Sequence, residues 1–259
     1  MSRRVVGIVQ ARMGSQRLPG KVLAHLSTTN TPDLRVVDWT VRRLRLARSV
    51  DAVVVATSTE VADDPLVEHC ATQGYDVFRG SLADVLDRFH GAAQAAQADV
   101  VVRVTADCPL VDPGVVDLVV DRHVHRAGPF TANRLPPPHR RTYPVGLDVE
   151  VTNMSDLELA WREATKSSHR EHVMPYLYEG IDQDVLVVDA EIDAGDIRWT
   201  IDTAEDLTAI RALVEVADAG LQTTWRQLLA AWRAHPELAD LNAHVQQRRA
   251  DDVDPRSKA

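Results

Sequence analysis

The sequence predicts an α/β protein built on a layered, mainly parallel sheet, and three observations carry that prediction. Short apolar segments rich in β-branched residues alternate with helix-length amphipathic stretches along most of the chain. Several of those stretches open with helix-start signals such as Asp112-Pro113 and Asp202-Thr203. The 259 residues, 45% of them apolar, are enough for one substantial core. We therefore expect a single domain over residues 1–236 and a polar tail over 237–259.

Residues 5–10 form the first strand, apolar on both faces as in a strand covered by helices on each side. A helix over 34–47 leads to a strand over 52–56, a helix over 65–73 to a strand over 76–78, and a helix over 82–96 to a strand over 100–104. The next helix, over 113–125, starts at Asp112-Pro113. Residues 128–143 then carry Pro129, Pro136, Pro137 and Pro138 among Arg134, Arg140 and Arg141. Proline at this density excludes a regular helix or a central strand, so the segment reads as a long loop, either a lid over an anionic substrate or a plain linker. Further strands follow over 149–152, 185–188 and 198–201, with helices over 155–165, 204–217 and 224–234. From Glu237 the composition lacks the apolar surface that offsets ordering entropy, so a frayed end is expected.

The formal net charge of -9 excludes a protein that coats nucleic acid or an anionic membrane, since both reward a basic surface. No apolar run reaches bilayer length and no signal-peptide core is visible, so a cytoplasmic location is expected. Cys70 and Cys108 are far apart and lack metal-ligand spacing, which predicts buried reduced thiols.

The densest chemistry follows the first strand, in Ala11-Arg12-Met13-Gly14-Ser15-Gln16-Arg17-Leu18-Pro19-Gly20-Lys21. The glycine spacing fits neither the dinucleotide fingerprint nor the Walker loop. A triphosphate requires cations for its charge and unhindered backbone N–H groups for its oxygens. Arg12, Arg17 and Lys21 supply the first, and Gly14 and Ser15 are candidates for the second. Asp107 and Asp202 each follow a predicted strand, and in an open α/β sheet the carboxyl ends of strands face the ligand crevice. Magnesium is commonly held by one or two carboxylates plus substrate phosphates, although a turn at Asp107 and helix capping at Asp202 account for the same residues. Arg103, inside an apolar strand, is either a buried ion pair or an anion contact.

The run Ile8-Val9-Gln10-Ala11-Arg12-Met13-Gly14-Ser15-Gln16-Arg17-Leu18-Pro19-Gly20-Lys21-Val22-Leu23 resembles the opening signature of the cytidylyltransferase superfamily, which contains the CMP-Kdo and CMP-acylneuraminate synthetases and, nearest in pattern, the SpsF-like spore coat polysaccharide proteins. Phe78-Arg79-Gly80-Ser81, Arg103-Val104-Thr105-Ala106-Asp107, Gly146-Leu147-Asp148-Val149-Glu150, Arg170-Glu171-His172-Val173 and Ile201-Asp202-Thr203-Ala204-Glu205-Asp206-Leu207 follow in the family's order. The resemblance implies a three-layer Rossmann-like nucleotidyltransferase fold with a mainly parallel mixed sheet, and a reaction between CTP and a small anionic acceptor with loss of pyrophosphate. It implies catalytic roles for Arg12 and Lys21, and a nucleotide site formed by Ala11, Arg12, Gly14, Ser15, Arg17, Lys21, Thr57, Ser58, Arg79 and Ser81. It also implies Mg2+ on Asp107 and Asp202, and a homodimer. Arg103, Asp148, Glu150, Arg170, Glu171 and His172 are candidates for the acceptor site.

The segment around Asp107 differs from the N-V-Q-G-D type of the CMP-Kdo synthetases, which leaves a sugar acid or a phosphonate open as acceptor. Asp148-Val149-Glu150 also mimics the D-x-D metal motif of glycosyltransferases, so a GT-A-type enzyme using an NDP-sugar is the alternative. A catalytically silent nucleotide-binding subunit is a second one.

Overall fold

The computed structural model describes residues 3–126, 128–179 and 185–246. Seven strands form one sheet: β1 Val5–Gln10, β2 Ala52–Ser58, β3 Asp76–Gly80, β4 Val100–Thr105, β5 Phe130–Ala132, β6 Glu150–Asn153 and β7 Val185–Val187, in the order β3-β2-β1-β4-β6-β5-β7. β3, β2, β1 and β4 are parallel neighbours, with Gln10 opposite Ala56 on one side and Thr105 on the other. β6 is antiparallel to both β4 and β5, and β7 is parallel to β5, so the sheet is mixed with β6 alone reversed.

Ten helices pack on this sheet among the described residues: α1 Val36–Leu44, α2 Asp64–Gln73, α3 Val85–Ala95, α4 Pro113–Arg126, α5 Met154–Glu163, α6 Ser167–His172, α7 Pro175–Tyr178, α8 Ala204–Val216, α9 Trp225–Ala234 and α10 Glu237–Asp240. Alternate residues of the central strands feed two separate cores. Val9, Val55 and Val102 pack under α1, α4, α8 and α9, whereas Ile8, Val54 and Val101 pack under α3, α5 and α7. That division makes the three layers, as helices on both faces of a mainly parallel sheet require.

Local chemistry fixes the helix starts. Asp112 Oδ1 accepts the amides of Gly114 and Val115 at 2.8 and 3.1 Å, and its Oδ2 accepts Trp225 N at 2.6 Å, so one buried carboxylate caps α4 and anchors α9. Thr203 and Asp206 form a reciprocal capping box at α8.

Three expectations need correction. Residues 128–143 are not loop throughout, because Phe130–Ala132 pair with β6 and β7. Pro129 precedes this strand and Pro136 follows it, so no proline interrupts its ladder. Residues 198–201 do not form a strand. The Trp199 amide bonds Val145 O at 2.7 Å and the Ile201 amide bonds Asp107 O at 2.8 Å, so the segment bridges two different loops and runs along neither neighbour. Finally, the chain does not fray at Glu237. Glu237–Asp240 is helical, Leu238 is buried, and buried Asn242 donates to Arg198 O and Asp206 Oδ1. The remainder of the expected tail, residues 247–259, lies outside the described residues.

Candidate active site

A cleft of about 350 Å³ opens at the carboxyl ends of β1 and β4. The loop after β1 forms one wall. Its Met13 amide is held at 2.7 Å by Asp63 Oδ1, and Gly20 amide returns to Met13 O at 2.9 Å, closing the loop on itself. Gly20 has φ +73°, a left-handed conformation that favours glycine, and it starts the short 3₁₀ turn that carries Lys21. Ala11, Arg12, Ser15, Arg17 and Lys21 line the cleft. The Ser15 amide, expected to stand free for phosphate, donates to Met13 O at 2.9 Å because the loop is a tight turn there.

The centre of the cleft is Lys21. Its Nζ donates to Asp107 Oδ2 at 2.7 Å, to Asp202 Oδ1 at 2.9 Å and to Ile201 O at 2.7 Å, which uses all three ammonium protons. Burial on its own lowers the lysine's pKa, but the two carboxylates outweigh it and hold the ammonium above its ordinary value. Asp202 also meets Arg17 at 2.9 Å and Arg198 at 2.9 Å. Burial favours its neutral form, yet Lys21 first and then Arg17 and Arg198 hold the carboxyl down at about 2. The two carboxylates expected to hold magnesium are thus brought together on one cation position. Among the described residues there is no cluster of three or more metal-ligating side chains. Two hard oxygen donors with room for phosphate oxygens are a donor set that fits magnesium shared with a triphosphate.

On the opposite wall Arg103 is ion-paired with Glu150, and its Nη2 donates to Gln10 Oε1 at 2.9 Å, so a ladder crosses the ends of β1, β4 and β6. Of the two readings of Arg103 the structure has the partly buried ion pair, and the residue also lines the cleft. Asp148 is gripped by both Nη atoms of Arg141 and approached by Arg134 Nε at 3.6 Å. Burial raises the Asp148 pKa, but Arg141 and then Arg134 bring the net shift below its ordinary value. Gly146 lies between these walls at φ +106°, and a Cβ there would come within 2.7 Å of the Trp199 backbone. Glu171 and His172 on α6 and Tyr178 on α7 complete the lining. Both cysteines are free and buried, and burial raises the Cys108 thiol well above its usual range, so this cleft residue stays protonated.

Other residues expected at the site lie elsewhere. The Thr57 and Ser58 side chains are fully buried and hydrogen-bond Asp63, so they brace the phosphate loop from behind. Arg79 donates to Ser58 O and Glu60 O and pairs with Asp64, away from the lining. Ser81 Oγ accepts the Asp84 amide, and Arg170 pairs with Asp84. Neither of those two reaches the cleft wall, and Gly14 is not part of the lining. Sequence reasoning gave no site role to Gln10, Asp63 or Asp206, and it placed Arg134 only among the arginines of a candidate lid. The Asp206 signal, a Thr-x-x-Asp capping box, was legible but pointed only to a helix start.

A sheet whose strand ends present a cationic loop, with two carboxylates sharing one lysine, defines a Rossmann-like nucleotidyltransferase. The chain belongs to the cytidylyltransferase family, whose model matches residues 6–227, and it is a CTP-dependent nucleotidyltransferase. It is similar to the spore coat polysaccharide biosynthesis protein SpsF of Bacillus subtilis, 34% identical over 246 residues covering 91% of this chain and 96% of that one. A cytidylyltransferase structure from Leptospira borgpetersenii superposes with a TM-score of 0.84 at 30% identity, covering 96% of this chain and all of that one. The 3-deoxy-manno-octulosonate cytidylyltransferase of Solibacter usitatus is 32% identical over 128 residues, 48% of this chain and 47% of that one. Among the described residues, no helix is long and apolar enough to cross a membrane.

Proposed function

We propose that the protein couples CTP to a small anionic acceptor, a sugar acid or a phosphonate, giving a CMP-linked product and pyrophosphate with Mg2+ as cofactor. The observation that carries this reading is Lys21 held between Asp107 and Asp202 beside Arg17. A triphosphate arriving on the loop offers Lys21, Arg12 and Arg17 new oxygens, and the lysine exchanges its carboxylate partners for phosphate. Asp107 and Asp202, freed from that pairing, are the residues that would hold the magnesium, which supplies charge neutralisation at the phosphates. The acceptor oxygen attacks the α-phosphorus in line while the cations of the loop stabilise charge gathering on the departing pyrophosphate. An acceptor that attacks through a carboxylate or phosphonate oxygen is already ionised at that atom, so the step releases no proton and needs no strong general base. The relative named for 3-deoxy-manno-octulosonate, a sugar acid, supports an acceptor of this kind.

The glycosyltransferase reading rested on Asp148 and Glu150 as a metal pair. Both carboxylates are paired with arginines, as Asp107 and Asp202 are with Lys21; what disfavours the glycosyltransferase is that an NDP-sugar does not need the cationic loop 11–21 and that the matching family model is a cytidylyltransferase. Incubation with CTP, Mg2+ and a pool of sugar acids and phosphonates, followed by mass spectrometry, tests the proposal. A product heavier than one acceptor by a CMP residue supports it. Transfer from an NDP-sugar with no CMP adduct overturns it.

A further inference from the structure

Arg103 and Arg141 both commit their guanidinium groups to carboxylates of the cleft wall. Arg134 does not. It lines the same cleft, its side chain is 28% exposed, and among the described residues it donates no hydrogen bond. Its one ion pair is the 3.6 Å approach of Nε to Asp148 Oδ2, an oxygen that already accepts Arg141 Nη2 at 3.0 Å. Both Nη groups of Arg134 are therefore left over. An arginine presents its donors as a rigid planar fork that matches two oxygens of a carboxylate or phosphonate.

The fork is also pre-positioned. Arg134 follows β5, and the preceding residue, Asn133, is 1% exposed and bonded to its neighbours in three ways. Its amide donates to Val149 O at 3.2 Å, its Nδ2 donates to Leu147 O at 2.7 Å, and its Oδ1 accepts the Val149 amide at 2.9 Å. Those bonds lock the chain at Arg134 to the Gly146–Glu150 wall. The Tyr178 hydroxyl lines the cleft as well and, like Arg134, makes no hydrogen bond among the described residues. Tyr178, on α7, stands against Phe130 of β5, with ring centroids 5.6 Å apart, so its ring packs on the strand that leads into Arg134.

We infer that Arg134, assisted by the Tyr178 hydroxyl, receives the oxyanion of the acceptor and sets the enzyme's preference for acceptors that carry one. The inference rests on the acceptor being a small anion, and it adds the residue that reads the charge. A role limited to balancing Asp148 would need only a cation, whereas anion recognition needs the fork.

The test is calorimetric titration of the full chain saturated with α,β-methylene-CTP and Mg2+, so that the phosphate loop is filled. The probes are 3-deoxy-manno-octulosonate for a carboxylate, its methyl ester as the uncharged match, and methylphosphonate for a phosphonate. At least one anionic probe is expected to bind and the ester to fail. Arg134→Gln should weaken that binding by roughly tenfold to a hundredfold, the worth of one or two charge-assisted hydrogen bonds. Arg134→Lys should recover it only in part, with the analogue's affinity unchanged and both variants still folded at the temperature of the titration. Which anion binds separates a carboxylate from a phosphonate site. Equal binding by Arg134→Gln and wild type, full recovery by Arg134→Lys, or no binding of either anion by a wild type that holds the analogue overturns the inference. Failure of wild type to bind the analogue counts against the nucleotide reading instead, and the probe titration is then read without it.

Discussion

Arg198 and Asp206 meet in a two-point contact, Nε to Oδ1 at 2.8 Å and Nη2 to Oδ2 at 2.9 Å, with the Asp206 carboxylate fully buried. Oδ2 of the same carboxylate accepts the Asp202 and Thr203 amides at 2.9 and 3.1 Å, and Oδ1 accepts Asn242 Nδ2 at 3.1 Å. Arg198 Nη2 reaches on to Asp202 Oδ2 at 2.9 Å. Asp206 therefore holds Asp202 in place from the backbone side and the side-chain side. Asp206→Asn should cost about 3 kcal/mol of stability, since it leaves a buried arginine underpaired. Turnover should fall even at temperatures where the variant is folded. Chemical denaturation and steady-state kinetics on the same preparation check both.

Lys21 uses all three of its ammonium protons on Asp107, Asp202 and Ile201 O, so its replacements should fail for different reasons. Lys21→Met leaves two facing carboxylates without their common cation and should lower kcat/KM about a hundredfold or more. Lys21→Arg keeps the charge, but a planar fork does not reproduce three converging donors, so recovery should be slight. Full activity in Lys21→Arg would show that charge alone matters.

The Asp148 carboxyl titrates below its ordinary value because Arg141 and Arg134 outweigh its burial. A depressed carboxyl contributes stability above its unfolded pKa and loses it as pH falls through the folded one. Wild type should therefore exceed Asp148→Asn in stability at pH 7. The gap should close as pH drops through and below the normal carboxylate range. Melting temperatures of the two proteins across a pH series measure this, and a constant gap would contradict it.

Gly146 adopts φ +106°, and an added Cβ would stand 2.7 Å from the carbonyl carbon and oxygen of Trp199. Neither atom belongs to a flexible side chain. Gly146→Ala should cost about 2 kcal/mol or more through backbone strain and collision, and should disturb the Val145–Arg198 bridge that aligns the Asp202 segment. A thermal melt with the alanine variant decides.

Much of this molecule was legible in the chain. The β-branched runs of β1, β2, β3 and β4 announced a parallel core, and the loop from Ala11 to Lys21 announced an anion site, because both signals are local. Non-local pairing was not legible. Phe130–Ala132 is three residues long beside prolines, and only its partners β6 and β7 make it a strand. Residues 198–201 have strand composition, yet their amides are claimed by two loops. Thr57 and Ser58 have the chemistry to read a base, but buried Asp63 claims their hydroxyls. Arg134 was hidden among the arginines of a proline-rich segment, and only the structure separates it from Arg141, which is committed to Asp148.

The most direct test of the central claim is pyrophosphate release by the purified protein, assayed with Mg2+, each of the four nucleoside triphosphates and the anionic acceptor pool, with Asp107→Ala alongside. Release is expected with CTP only, dependent on an acceptor and lost in Asp107→Ala. Release that ignores the base, or that survives the loss of Asp107, would contradict it.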